Sequence, residues 1–216
     1  MKTSIMTLIL SACALGMNAQ ALKQQGTSVE KIVPKGWEHE EAQGDLNKDG
    51  IKDLVVIAKP NFKENMQTRD DGYEYNFNSY ILAIYFGQAE GGFRLWKQYD
   101  TLFQPESEDI SLEVDIEITE RGTLKIDANP FASAGSWAND DTSYTYRYQN
   151  GDFYLIGKET TTLIRNTGEM TTVSENYLTW KQQTIEDNAF EEVAKKETWS
   201  TLTKKPLEKL GDSELW

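Results

Sequence analysis

The residues best suited to chemistry lie early in the chain, in the stretch Gly44-Asp45-Leu46-Asn47-Lys48-Asp49-Gly50-Ile51-Lys52-Asp53-Leu54-Val55-Val56. Oxygen-bearing side chains fall at alternate positions, Asp45, Asn47 and Asp49, and Asp53 follows after Gly50. Calcium is a hard cation that takes six to eight oxygen ligands in a flexible shell. Alternate side chains on a tightly curled loop point toward one centre. Gly50 permits a sharp turn that a Cβ would resist. The Ile51 carbonyl is then free to face the ion, and Asp53 closes the shell. Three carboxylates this close repel one another unless a cation sits between them. The competing reading is an Asx-rich turn that holds no metal.

The spacing separates this loop from an EF-hand. That motif needs a bidentate acid at its twelfth position and helices on both sides. Counting from Asp45, the twelfth residue is Val56, which cannot coordinate. The following Ile51–Ile57 run is rich in β-branched residues and predicts a strand. A dockerin needs the same acid and a second copy of the loop, and neither is present. The loop resembles the calcium loop of the integrin-alpha type β-propeller repeat, also called the FG-GAP or VCBS repeat. The resemblance implies Ca2+ held by Asp45, Asn47, Asp49, the Ile51 carbonyl and Asp53, between two neighbouring strands. It covers about one blade, because the loop occurs once and the chain is short for a full propeller.

Other candidates carry less. His39 is the only histidine and sits among Glu38, Glu40 and Glu41. A serine triad would have to use it, and no nucleophile-elbow motif accompanies it. Zinc hydrolysis draws on two or three histidines, and no glycine-rich phosphate loop exists. Glu113, Asp115 and Glu117 alternate with apolar residues along 112–118 and read as the wet face of a strand. Carboxylate pairs hydrolyse glycosides, but no pair is singled out by spacing. Trp137 lies in a small-residue stretch. It reads as an anchor folding back on the core, or else as an exposed ring that stacks on a sugar or partner.

The elements that must position these residues are strands. Ser79–Phe86 and Phe93–Tyr99 flank Gly91-Gly92 as a hairpin. Leu112–Ile118 pairs with Thr123–Ala128 across Arg121-Gly122. Tyr144–Tyr148 and Phe153–Gly157 flank Asn150-Gly151, a two-residue turn signal. Thr160–Arg165 and Met170–Trp180 flank Asn166-Thr167-Gly168. The segment 59–78 predicts a long surface loop, 187–196 a short helix, 198–202 a last strand, and the tail after Pro206 a surface segment. The sum is an all-β, antiparallel single domain over 22–216, of about ten short strands. It is expected to form a meander or sandwich, or else partial propeller-like sheets. The string Tyr146–Gly157 also resembles one found in uncharacterised exported bacterial proteins with a single early calcium loop. That resemblance implies no activity.

Residues 1–21 predict a secretory signal peptide: a basic start at Lys2, an uncharged apolar run over 5–16 and Ala19-Gln20-Ala21 as cleavage site. Leu10-Ser11-Ala12-Cys13 offers the alternative of a lipoprotein anchored through Cys13. The expected location is therefore periplasmic or extracellular. Cys13 is the only cysteine, so the mature domain has no disulfide and no thiolate site. The formal net charge of −13 argues against nucleic acid, which needs a basic face. No segment is long and apolar enough for a transmembrane span. The expected role is a calcium-stabilised binding or structural module of the cell envelope, with a protein or glycan partner. A carboxylate hydrolase and an aromatic glycan binder are the alternatives.

Overall fold

A computed structural model describes residues 21–68, 70–132 and 136–216. The expected signal peptide and Cys13 therefore lie outside the described residues, apart from Ala21. The chain is all-β and antiparallel, with one short α-helix among the described residues, α1 (Val29–Ile32). Among the described residues no helix is long and apolar enough to cross a membrane.

The first sheet comprises β1 (Gln25–Gly26), β2 (Glu38–Gly44), β3 (Asp53–Lys59), β6 (Ile81–Gly87) and β7 (Phe93–Tyr99), in the order β1-β7-β6-β3-β2. Between β3 and β6 lies a small ribbon of β4 (Met66–Thr68) and β5 (Glu74–Asn76), preceded by a 3-10 turn at Lys63–Asn65. The expected long loop over 59–78 is thus partly structured. The side chain of Asn78 closes it, donating to the Phe62 carbonyl at 3.1 Å.

Seven strands build the second sheet as a plain meander: β8 (Ile110–Ile118), β9 (Thr123–Ala132), β10 (Ala138–Gln149), β11 (Asp152–Ile164), β12 (Glu169–Asn176), β13 (Lys181–Asn188) and β14 (Lys196–Thr201). It curls into a half-barrel. Asn150 and Gly151, with φ of 51° and 80°, make the β10–β11 turn that their dipeptide predicts.

Every residue of β3 is buried, so the strand is covered on both faces. Leu54, Val56 and Ala58 pack with Ile32, Val33 and Trp37 beneath α1. Val55 and Ile57 pack with Leu124, Ile126, Tyr146 and Phe153 of the second sheet. The first sheet is therefore the middle layer, which explains why β3 reads as a continuous apolar run rather than an alternation. An ion pair also joins the layers. Lys59, at the end of β3, meets Glu106, in the loop before β8, with both side chains almost wholly buried. The Lys59 ammonium lies 4.9 Å over the Tyr80 ring. Burial, then the charge of Glu106 and its acidic neighbours, push the Tyr80 hydroxyl up to about 12.

Three sequence expectations are corrected. The 187–196 segment is not a helix: β13 runs to Asn188, whose Oδ1 accepts the amides of Phe190 and Glu191 and turns the chain. The strand expected over 170–180 breaks at Asn176, whose side chain accepts the amides of Leu178 and Thr179. The tail after Pro206 is not a surface segment. Leu210 and Leu215 are buried, and the Leu215 amide donates to Leu102 at 2.7 Å while its carbonyl accepts the Tyr144 hydroxyl at 2.7 Å. Two leucines separated by four polar or small residues give no periodic signal, yet both join the core.

Candidate functional site: the Asp45–Asp53 loop

The loop joins β2 to β3, neighbouring antiparallel strands, as its flanking sequence requires. Its curl is made by its own side chains. Asp45 Oδ1 accepts the amides of Lys48 at 2.7 Å and Asp49 at 3.2 Å, and its Oδ2 accepts Gly50 at 2.9 Å. Asn47 Oδ1 accepts the Asp49 amide at 3.0 Å, and Asp49 Oδ1 accepts Ile51 at 2.8 Å. The Asn47 side-chain Nδ2 donates to Asp49 Oδ2 at 3.0 Å. Lys48 and Gly50 take φ of 64° and 85°, the left-handed region that bends the chain back on itself. Asp45, Asn47 and Asp49 are brought together on one accessible arc.

Asp53 stands apart from them in environment. It is fully buried. Its Oδ2 accepts the amides of Leu46 at 2.9 Å and Asn47 at 3.3 Å, and its Oδ1 accepts the amide of Gly87 at 2.9 Å. Burial pushes this carboxyl up from its ordinary value and the nearby Asp49 adds to the push, while the three amides act the other way. Asp53 thus pins the loop to the end of β6. Gly87 cannot carry a side chain there, because a Cβ would collide with the Lys52 carbonyl.

A second close approach lies on the other side. Gly122, with φ of 71° in the β8–β9 turn, sits where a Cβ would come within 2.6 Å of the Asp45 carbonyl. The loop is therefore wedged between β6 of one sheet and the β8–β9 turn of the other. Gly44, just before it, is likewise pressed against Ile118 of β8.

As a donor set, the arc offers only hard oxygens: the carboxylates of Asp45 and Asp49, the Asn47 carbonyl and the Ile51 backbone carbonyl, with Asp53 at the base. That chemistry fits calcium or magnesium and does not fit a soft metal. Among the described residues, no three His, Cys, Asp or Glu side chains gather into a metal cluster by themselves. The arc depends on amide and backbone oxygens as well, and all three carboxylates accept amide hydrogen bonds, those of Asp53 while fully buried.

The remaining candidates are scattered. His39 is exposed, its Nδ1 3.3 Å from the Trp37 carbonyl. Glu113 lines a shallow cleft of about 150 Å³ with Glu38, His39 and Tyr80. Asp115 and Glu117 are exposed on the outer face of β8. Trp137 is 67% exposed, which overturns the anchor reading. Its carbonyl accepts the Arg165 amide at 2.8 Å, and the Arg165 guanidinium lies 5.1 Å over the ring of Phe131. Sequence reasoning missed Trp199, which is 62% exposed on β14. The signal was present: β14 reads Lys-Glu-Thr-Trp-Ser-Thr, and a Trp among polar residues on both faces of a strand has no apolar side to turn to. No protein-family model matches the chain, and no curated protein or solved structure matches it either.

Proposed function

We propose that the Asp45–Asp53 loop binds calcium and that the bound ion stabilises an exported β module of the cell envelope. The observation that carries this reading is the loop's own hydrogen bonding, which turns Asp45, Asn47 and Asp49 onto one arc. Asp45, Asn47, Asp49 and the Ile51 carbonyl would hold the ion, with Asp53 beneath it. The ion would supply positive charge to the carboxylates of Asp45 and Asp49 and no reaction chemistry. Because the loop touches both sheets, ordering it would stiffen their junction. Binding of an ion to the folded chain alone adds about 2.7 kcal/mol when its concentration is a hundred times the dissociation constant.

The export part of the reading rests on the basic and apolar start of the sequence and its Ala-Gln-Ala site. It also rests on the resemblance to exported proteins that carry one such loop. The test is thermal melting of the purified chain from residue 22 with calcium and with chelator, beside calorimetry for ion uptake. A transition that rises by several degrees with calcium, and does not rise in an Asp45→Ala, Asp49→Ala variant, is expected. An identical transition in calcium and chelator, with no heat of binding, overturns it.

A further inference from the structure

The outer face of the second sheet, away from the core, carries a concave cleft of about 610 Å³. Register aligns two rows of side chains across it. One runs Ser143, Glu159, Ser174, Gln183, Trp199 over strands β10 to β14, each residue opposite the next. The other runs Lys125, Thr145, Gly157, Asn176, Lys181 over β9 to β13. Five strands span on the order of 19 Å.

Three features make this face more than a solvated surface. Trp199 stands at one end with its ring exposed, and its indole N–H donates to Glu197 at 2.5 Å, which fixes the ring's orientation. Gly157 lies in the middle of its row. No positive φ requires glycine there, and a Cβ would meet only the Glu175 carbonyl at 3.4 Å and Thr145 at 3.9 Å. The missing side chain opens the floor of the cleft. The remaining lining is polar: Gln183, Asn176, Thr145 and Ser143 offer both donors and acceptors, and Lys125, Lys158, Lys181, Glu159 and Glu175 add charges of both signs.

We propose that this cleft binds a short oligosaccharide, with the pyranose C–H face laid on Trp199 and the hydroxyls met by Gln183, Asn176 and Thr145. A sugar presents this pairing of an apolar face with a rim of donors and acceptors. Nucleic acid does not suit the face. Of the three lysines that line the cleft, Lys125 is paired with Asp127 at 3.0 Å, and Lys158 and Lys181 share the lining with Glu159 and Glu175, on a chain of net charge −13. A protein partner would look for a buried apolar anchor site, and the cleft is open and polar. This inference is independent of the calcium reading, since none of its residues belongs to the loop.

The test is isothermal titration of the purified chain, with calcium and again with chelator, against cellohexaose, maltohexaose, chitohexaose and hexagalacturonate. At least one is expected to bind. Trp199→Ala should then weaken it at least about tenfold, close to 1.4 kcal/mol, and Gly157→Val should weaken it by filling the floor. Trp137→Ala, an equally exposed Trp outside the cleft, should leave it unchanged. Circular dichroism confirms that each variant folds. The proposal is overturned if none of the four sugars binds, or if binding is lost in Trp137→Ala and kept in Trp199→Ala. Chelator melting reports on the loop separately, so either reading can fail alone.

Discussion

Strands β3 and β14 are of similar length and sit in opposite circumstances. β3 is buried at every position and β14 exposed at every position. β3 is hydrogen-bonded on both sides within its sheet and packed on both faces, whereas β14 is the outer edge of the second sheet and pairs only with β13. Between these extremes the second sheet changes character along its order. Its first strands, β8 to β11, turn Leu112, Val114, Leu124, Ile126 and Phe153 into the core. Its last strands are Thr-, Glu- and Lys-rich and contribute little to the core. Stability is thus concentrated at the inter-sheet junction, where the Asp45–Asp53 loop lies. The far half of the second sheet is held by main-chain pairing and by exposed cross-strand contacts such as Ser174 with Glu159 and Lys196 with Glu186.

The comparison would break first at Asp53. Replacing it with Ala leaves the amides of Leu46, Asn47 and Gly87 without their acceptor, and burial keeps water from taking its place. Lost bonds to a charged acceptor cost about 1.5 kcal/mol each or more, so Asp53→Ala is expected to lose at least about 4.5 kcal/mol in calcium-free urea unfolding. A loss under about 1 kcal/mol would mean that the junction is not where stability lies.

Next in size is a matched pair of isoleucines. Ile57 of β3 is 2% exposed, and Ile185 of β13 is half-buried. Ile57→Ala should cost about 3 kcal/mol through lost contacts and a cavity, and Ile185→Ala no more than about 1 kcal/mol. Equal losses would erase the distinction. Hydrogen exchange sharpens it without mutation: β3 amides should exchange only through global unfolding, and β14 amides through local opening, far faster.

The smallest expected effect concerns the tail. Lys209 lies 3.0 Å from Asp152, and the Phe153 amide donates to the same carboxylate at 3.0 Å. Burial opposes ionisation of Asp152, but these partners outweigh it and hold the carboxyl below its ordinary value. A carboxyl depressed in the folded state stabilises above its unfolded value of 3.8, and that contribution is lost as pH falls through the folded value. Asp152→Asn should therefore cost about 0.5 kcal/mol at neutral pH, in keeping with a partly exposed pair. It should also flatten the acid limb of stability below about pH 4. An unchanged acid limb would detach the tail from this account.

The loop and the strands around it are local features, and for that reason they were legible in the chain. Alternate oxygens before an apolar run mark a turn feeding a strand, and Asn150-Gly151 marks a hairpin, because both depend on a few adjacent residues. The 187–196 segment misled because helical composition there is overruled by two strand partners and by the Asn188 turn. Trp137 stayed open between two readings for another reason. Its exposure depends on where β10 begins relative to the core, which no local pattern encodes.

By itself, then, the amino-acid order determined the all-β class, the central hairpins and a loop of hard oxygen donors, all set by backbone preference and hydrophobic alternation between near neighbours. Only the tertiary structure decided that Asp53 spends its oxygens on three amides, that Lys59 meets Glu106 between the sheets, that Leu210 and Leu215 close the core, and that Trp199 overlooks a cleft. Apart from the Asp53 bonds to Leu46 and Asn47, which close the loop itself, these join residues far apart in the chain. Their energies come from burial and register, which exist only once the sheets have packed.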